Sequence, residues 1–108
     1  TPADDAEGCL QDVHWSEGLF GYFPSYLLGH LISAQISEAM ETAIGAPEEH
    51  VRRDDLQPVL SWLREAVHPI GRALNAEKLV ASVTGRPLSS EPFLRYLEAK
   101  IERLGTSP

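Results

Sequence analysis

One cysteine, Cys9, stands in a chain of 108 residues. An internal disulfide is therefore excluded, and a reducing, cytoplasmic setting is the expectation. Basic residues are also scarce, at 9 against 16 acidic, and the formal net charge is −7. Only Arg52 and Arg53 are adjacent, with Asp54 and Asp55 directly behind them. Such a surface repels phosphate backbones, so nucleic acid is not an expected partner. No apolar run is long enough for a membrane: the best window, Leu27 to Ile36, is broken by Gly29, His30, Ser33 and Gln35. The start, Thr1-Pro2-Ala3-Asp4-Asp5, has neither a basic region nor an apolar core, which argues against a secretory address. A first residue other than methionine points to a processed or truncated boundary. Metal-ligand spacing is missing as well. His30, His50 and His68 lie far apart, without HExxH or an i, i+4 pair, so no zinc site is expected from this chain alone.

Strand signals are absent, and the expected class is all-α in one small domain. Residues 1–23 read as irregular, punctuated by Gly8, Gly18 and Gly21, with at most one helical turn over Leu10 to Trp15. Pro24 suits a helix N-terminus, where its missing N–H costs nothing. Leu27, Leu28, Leu31, Ile32, Ala39, Met40, Ala43 and Ile44 then recur at helical spacing until Gly45 and Pro47. This predicts a long helix over 24–44. Residues 46–54 are polar and read as a loop, with Asp54 or Asp55 capping a second helix over 55–68. Pro58 fits only its first turn, and Pro69 forces an end or kink near Val67. Asn75 caps a third helix over 76–84, closed by Gly85. Ser90-Glu91-Pro92 opens a fourth over 91–104, with Phe93, Leu94, Leu97, Ile101 and Leu104 as its apolar stripe.

The chemistry is concentrated before the first of these helices. Gly8-Cys9-Leu10-Gln11-Asp12-Val13-His14-Trp15 places an amide, a carboxylate, an imidazole and an indole within five residues, and Phe20-Gly21-Tyr22-Phe23-Pro24-Ser25-Tyr26 follows. A carboxylate two residues before an imidazole can orient the ring or favour its charged form. Gln11 both donates and accepts, as recognition of a peptide amide requires. Trp15 can exclude water from one side. The competing reading is a hydrogen-bond network that merely fixes this segment against the first helix.

The order Gly-x-x-Gln-Asp-x-His-Trp resembles a signature of the thermostable, Taq-type carboxypeptidases, a family of zinc-dependent metallopeptidases. Further likeness lies in residues 20–26, in Leu28-Gly29 and Ala34-Gln35, and in Pro58-Val59-Leu60-Ser61-Trp62-Leu63-Arg64-Glu65. It continues in Glu77-Lys78-Leu79-Val80, Thr84-Gly85-Arg86-Pro87-Leu88 and Phe93-Leu94-Arg95-Tyr96-Leu97. The resemblance implies that the chain is the C-terminal part of a larger helical enzyme releasing C-terminal residues from peptides. It also implies that the enzyme uses zinc or another divalent metal held by the remainder of the polypeptide, because the metal ligands are not in this chain. In the family the signature lines the active-site groove. That makes His14 the residue nearest the chemistry, as a substrate or transition-state contact, with Gln11, Asp12 and Trp15 in support. Tyr22 and Tyr26 are weaker candidates, since a tyrosine near a scissile carbonyl stabilises its developing negative charge. Residues 1–23 would then be the groove-lining segment and 24–108 the helical body.

Other features read as structural. Cys9 occupies an unspecified signature position and is expected to be a small buried thiol. Trp62 is expected in the core. The last two helices have the size of a helix-turn-helix, but Arg95, Lys100 and Arg103 are balanced by Glu91, Glu98 and Glu102. The alternative to an enzyme part is a stand-alone acidic interaction module that binds a partner helix along residues 24–44. Apolar residues around much of that helix lead to a further expectation, a homo-oligomer.

Overall fold

The computed structural model describes residues 1–105; its regular structure is all helical, with no strand among them. A 3-10 turn over Cys9–Gln11 leads into α1 (Val13–Ser16) and then α2 (Phe23–Ile44). There follow α3 (Pro47–Arg52), α4 (Gln57–Ala66), a second 3-10 turn (His68–Ile70), α5 (Ala76–Thr84) and α6 (Glu91–Gly105). At 22 residues, α2 is about 33 Å long and serves as the spine. It packs against α3, α4, α5 and α6, while α3 also touches α4.

The four expected helices are present, together with α1 and α3. Residues 46–54 are a correction: the predicted loop is mostly α3. Its charges are ordered to suit a helix, with Glu48 and Glu49 in the first turn and His50 and Arg52 in the last, matching the macrodipole. Arg52 adds a 2.7 Å ion pair to Glu49. His50 reaches back to the Ile44 carbonyl at 3.0 Å, covering an open end of α2.

The capping role given to Asp54 or Asp55 is also corrected. The residue before α4 is Leu56, with no side-chain cap. Asp54 instead ends α3 in the left-handed region, at φ 55°. Its N–H donates to the Val51 carbonyl (3.1 Å), and the Asp55 N–H donates to that of His50 (3.0 Å). This is a Schellman closure, with aspartate where glycine is usual. The second helix therefore spans Gln57–Ala66 rather than 55–68, with Pro58 in its first turn and Val67 as its C-cap. Asn75 caps α5 through its side chain, 3.0 Å from the Lys78 N–H, and Gly85 closes it at φ 70°.

The interior is small and partly polar. Among the described residues Met40, Val80 and Pro92 are the buried apolar side chains, and Gln35 is buried with them at 1% exposure. Its amide N–H groups donate to the Pro87 carbonyl (2.9 Å) and Thr84 Oγ1 (3.2 Å). Its carbonyl accepts the Ser89 N–H at 3.0 Å. Gln35 thus fastens α2 to the α5–α6 connection while leaving no buried amide unpaired. One turn further, Glu38 accepts Arg95 at 2.7 and 2.9 Å and Arg86 at 3.2 Å. Partial burial pushes the Glu38 carboxyl up, but hydrogen bonds from the two arginines outweigh it and hold it below the usual range.

Candidate functional site

The site is assembled by two caps and a turn. Asp12 is the N-cap of α1, its carboxylate accepting the His14 backbone N–H at 2.7 Å. The same Oδ1 lies 2.5 Å from His14 Nδ1. One carboxylate oxygen therefore fixes both the helix start and the ring, which the Asp-x-His spacing makes possible. After four residues α1 closes at Gly18, at φ 69°. Gly18 N–H donates to the Trp15 carbonyl (3.2 Å) and Leu19 N–H to that of His14 (2.8 Å), a second Schellman closure. Gly21, at φ 76°, completes the reversal and brings the first turn of α2 back over His14.

His14 consequently sits among three rings at the start of α2, from its N-cap Tyr22 and from Phe23 and Tyr26. Centroid separations are 4.9 Å to Phe23, 5.5 Å to Tyr22 and 5.7 Å to Tyr26. Tyr22 and Tyr26 are one turn apart and meet edge to face at 5.3 Å. The Tyr26 hydroxyl is 2.9 Å from His14 Nε2, so both ring nitrogens are engaged. Asp12 is ionised well into acid: the backbone N–H and then the ring of His14 hold its carboxyl below the usual range, against a burial penalty.

The structure brings Asp12, His14, Tyr22 and Tyr26 into one cluster. Trp15 adjoins it through Phe23 at 6.0 Å and packs on Phe20 at 5.5 Å. Gln11 points elsewhere, donating its side-chain amide to the Ala6 carbonyl and tying the leading segment together. Sequence reasoning did not single out Phe23, the ring nearest His14. Its signal was adjacency: together with Tyr22 and Tyr26 it forms an i, i+1, i+4 aromatic group on the first turn of a helix. The Cys9 expectation concerns a side chain outside those described.

A family metal would have to be held elsewhere. Among the described residues no group of three or more His, Cys, Asp or Glu is placed to bind an ion. His14 has both nitrogens committed, His30 stacks on Phe93 at 5.9 Å, and His50 is bound to a carbonyl. These residues do not fit a metal centre. No described helix is long and apolar enough to cross a membrane.

Comparison with known proteins agrees over nearly the full length. The family model for carboxypeptidase Taq (M32) metallopeptidase matches residues 1–101. Thermostable carboxypeptidase 1 of Thermus thermophilus is 45% identical over 103 residues, covering 95% of this chain and 20% of the relative. Carboxypeptidase 1 of Bacillus subtilis is 38% identical, covering 96% of this chain and 21% of the relative. The Pyrococcus furiosus thermostable carboxypeptidase 1 is 36% identical, with 92% and 20% coverage. A solved structure described as the BsuCP crystal structure superimposes with a TM-score of 0.83 at 38% identity, over 96% of this chain and 21% of that one. The chain therefore spans about a fifth of the length of the relatives it matches. With a signature-bearing turn, an all-helical body and matches at this level, the chain belongs to the carboxypeptidase Taq (M32) metallopeptidase family.

Proposed function

We propose that this chain is the C-terminal part of a metal-dependent carboxypeptidase that releases C-terminal residues from peptides. In that enzyme, zinc or another divalent ion is held by residues of the remaining polypeptide, and the setting is the cytoplasm. When bound, the metal supplies electrophilic activation of the scissile carbonyl and of water. The present chain supplies a wall of the substrate groove. His14 is the chemical centre of that wall, Asp12 orients it, and Tyr22, Tyr26 and Trp15 line it. Gln11 supports the turn from behind, through Ala6.

The observation that carries this reading is the Asp12–His14–Tyr26 chain of hydrogen bonds enclosed by aromatic rings. A purely structural turn would be capped by Asp12 alone and would not need a titratable ring bonded at both nitrogens. His14→Ala in the full-length protein should lower kcat/KM by on the order of 10²-fold or more, as loss of an acid–base or electrostatic group does. Bound metal and helicity should be unchanged. Near-full activity in this variant, measured on a dipeptide with a blocked N-terminus, would assign His14 to structure alone.

A further inference from the structure

The setting of α2 against its neighbours depends on one buried amide. Among the described residues of α2, Gln35 and Met40 are the buried ones. A methionine side chain is unbranched and adapts to whatever surface it meets, so apolar packing does little to fix how far α2 is slid or turned. One turn on, Glu38 binds Arg86 and Arg95, but these arginines are 57% and 51% exposed. Long exposed side chains can follow a shift of the helix.

Gln35 cannot follow one. Its Nε2 donates to the Pro87 carbonyl (2.9 Å) and to Thr84 Oγ1 (3.2 Å), and its Oε1 accepts the Ser89 N–H at 3.0 Å. The partners are themselves fixed. The Thr84 hydroxyl donates to the Val80 carbonyl at 2.8 Å, inside α5, and Ser89 Oγ accepts the Glu91 N–H at 3.2 Å, at the start of α6. A slip of one residue moves a helix by about 1.5 Å and turns it by about 100°. All three bonds would then break, leaving the amide, the Pro87 carbonyl and the Ser89 N–H unpaired in the interior.

α2 is one unbroken helix, and Tyr26 stands on it about 13 Å along the axis from Gln35. The turn carrying Asp12 and His14 is joined to Tyr26 and Phe23, so it travels with them. We propose that Gln35 is a positioning residue for the reaction: it sets the register of α2 against the α5–α6 connection, and with it the depth and rotation at which the His14 cluster faces the substrate groove. This rests on the groove-wall reading above and names what holds the wall in place. A misplacement of about 1 Å at a reacting geometry can cost on the order of 10²-fold in rate.

The test uses the full-length protein. Gln35→Met keeps the length of the side chain and loses all three bonds. Gln35→Glu keeps the acceptor for Ser89 and loses donation to Pro87 and Thr84, and it serves if methionine prevents folding. Glu38→Gln is the control, because it weakens the ion pairs to the same connection and leaves Gln35 in place. Each variant is assayed well below its own unfolding temperature, on a dipeptide with a blocked N-terminus. The Gln35 variants should lose about tenfold or more in kcat, with KM little changed and bound metal retained. Glu38→Gln should keep near-full kcat. A second readout needs no turnover. With fluorotryptophan incorporated, the fluorine-19 resonance of Trp15, at the edge of the cluster, should move in the Gln35 variants and stay put in Glu38→Gln. A residue serving stability alone would lower the unfolding temperature and leave kcat and that resonance unchanged, which overturns the proposal. Equal losses in Glu38→Gln and the Gln35 variants overturn it as well. His14→Ala, measured alongside, separates the two readings. No loss there removes the groove-wall reading, whereas a loss there with full activity in the Gln35 variants removes this inference alone.

Discussion

Asp12 does two jobs with one oxygen, and acid removes both together. Its carboxyl is held below the usual range by the backbone N–H of His14 first and by the ring second. Because the folded-state value is depressed, the interaction is fully present above the ordinary carboxylate range, about pH 4, and is lost as pH falls through the folded value. In an NMR titration, the Asp12 carboxyl should titrate below that range, and the His14 amide resonance should follow it. An Asp12 midpoint at the ordinary value would show that the cap is not formed. Gln35 makes a different single-residue case. It interrupts the apolar pattern of α2, and the sequence places it in the helix without indicating that it is the best-buried polar group. Its partners Thr84, Pro87 and Ser89 lie about fifty residues away, so no local pattern could announce them. Gln35→Ala strands the Ser89 N–H and opens a cavity. It should cost about 2–4 kcal/mol, read as a shift of the denaturant midpoint. Gln35→Glu should also destabilise, because a carboxylate cannot donate to Pro87.

Helix ends decided what could be read in advance. α5 was legible because its cap residues are the common ones, Asn75 and Gly85. The spine α2 was legible from periodicity and Pro24. α3 was missed because its six residues carry no apolar stripe, and its ordering comes from charge placement, His50 and the Asp54 closure. Two adjacent aspartates before a helix resemble an N-cap in sequence, yet Asp54 serves the helix behind it. That assignment has a direct test. Glycine adopts φ 55° without the Cβ penalty, so Asp54→Gly should leave stability unchanged or raise it by up to about 1 kcal/mol. Asp54→Val should lower it by at least about 1 kcal/mol. The reverse order, read by thermal denaturation, would return Asp54 to a capping role for α4. The pairing of Asp12 with His14 was legible by the same logic. The Asp-x-His spacing and the two glycines are local, so Asp12 and His14 were found together. The contact to Tyr26 depends on how α2 folds back after Gly21, and spacing left that open.

At the scale of the whole molecule, the helices do not close on themselves. The accessible surface is 8155 Å², on the order of 2,000 Å² more than a compact monomer of this size exposes. The radius of gyration, 17.9 Å, exceeds the ~13 Å of a compact domain. The excess is apolar in two places. Phe20, Leu27 and Leu28 stand 74%, 52% and 49% exposed around the site end of α2, and Ile101 and Leu104 stand 67% and 69% exposed at the end of α6. Of the apolar stripe of α6, only Phe93 and Leu97 are partly buried, and Leu94 is 51% exposed. In the proposed enzyme the remaining polypeptide covers these surfaces. Alone in water, they favour association at about 25 cal/mol per Å² of apolar area removed, and a contact of standard size needs roughly 1,600 Å² in total. That is less than the excess two copies expose, so the isolated chain should dimerise or assemble further, most simply by a two-fold pairing of the same apolar face. Sedimentation equilibrium at micromolar concentration measures the outcome. Phe20→Ser with Leu27→Ser should shift the distribution toward monomer if the site end of α2 is the contact. A monomer that binds no apolar dye would mean that the helices rearrange to cover these residues themselves.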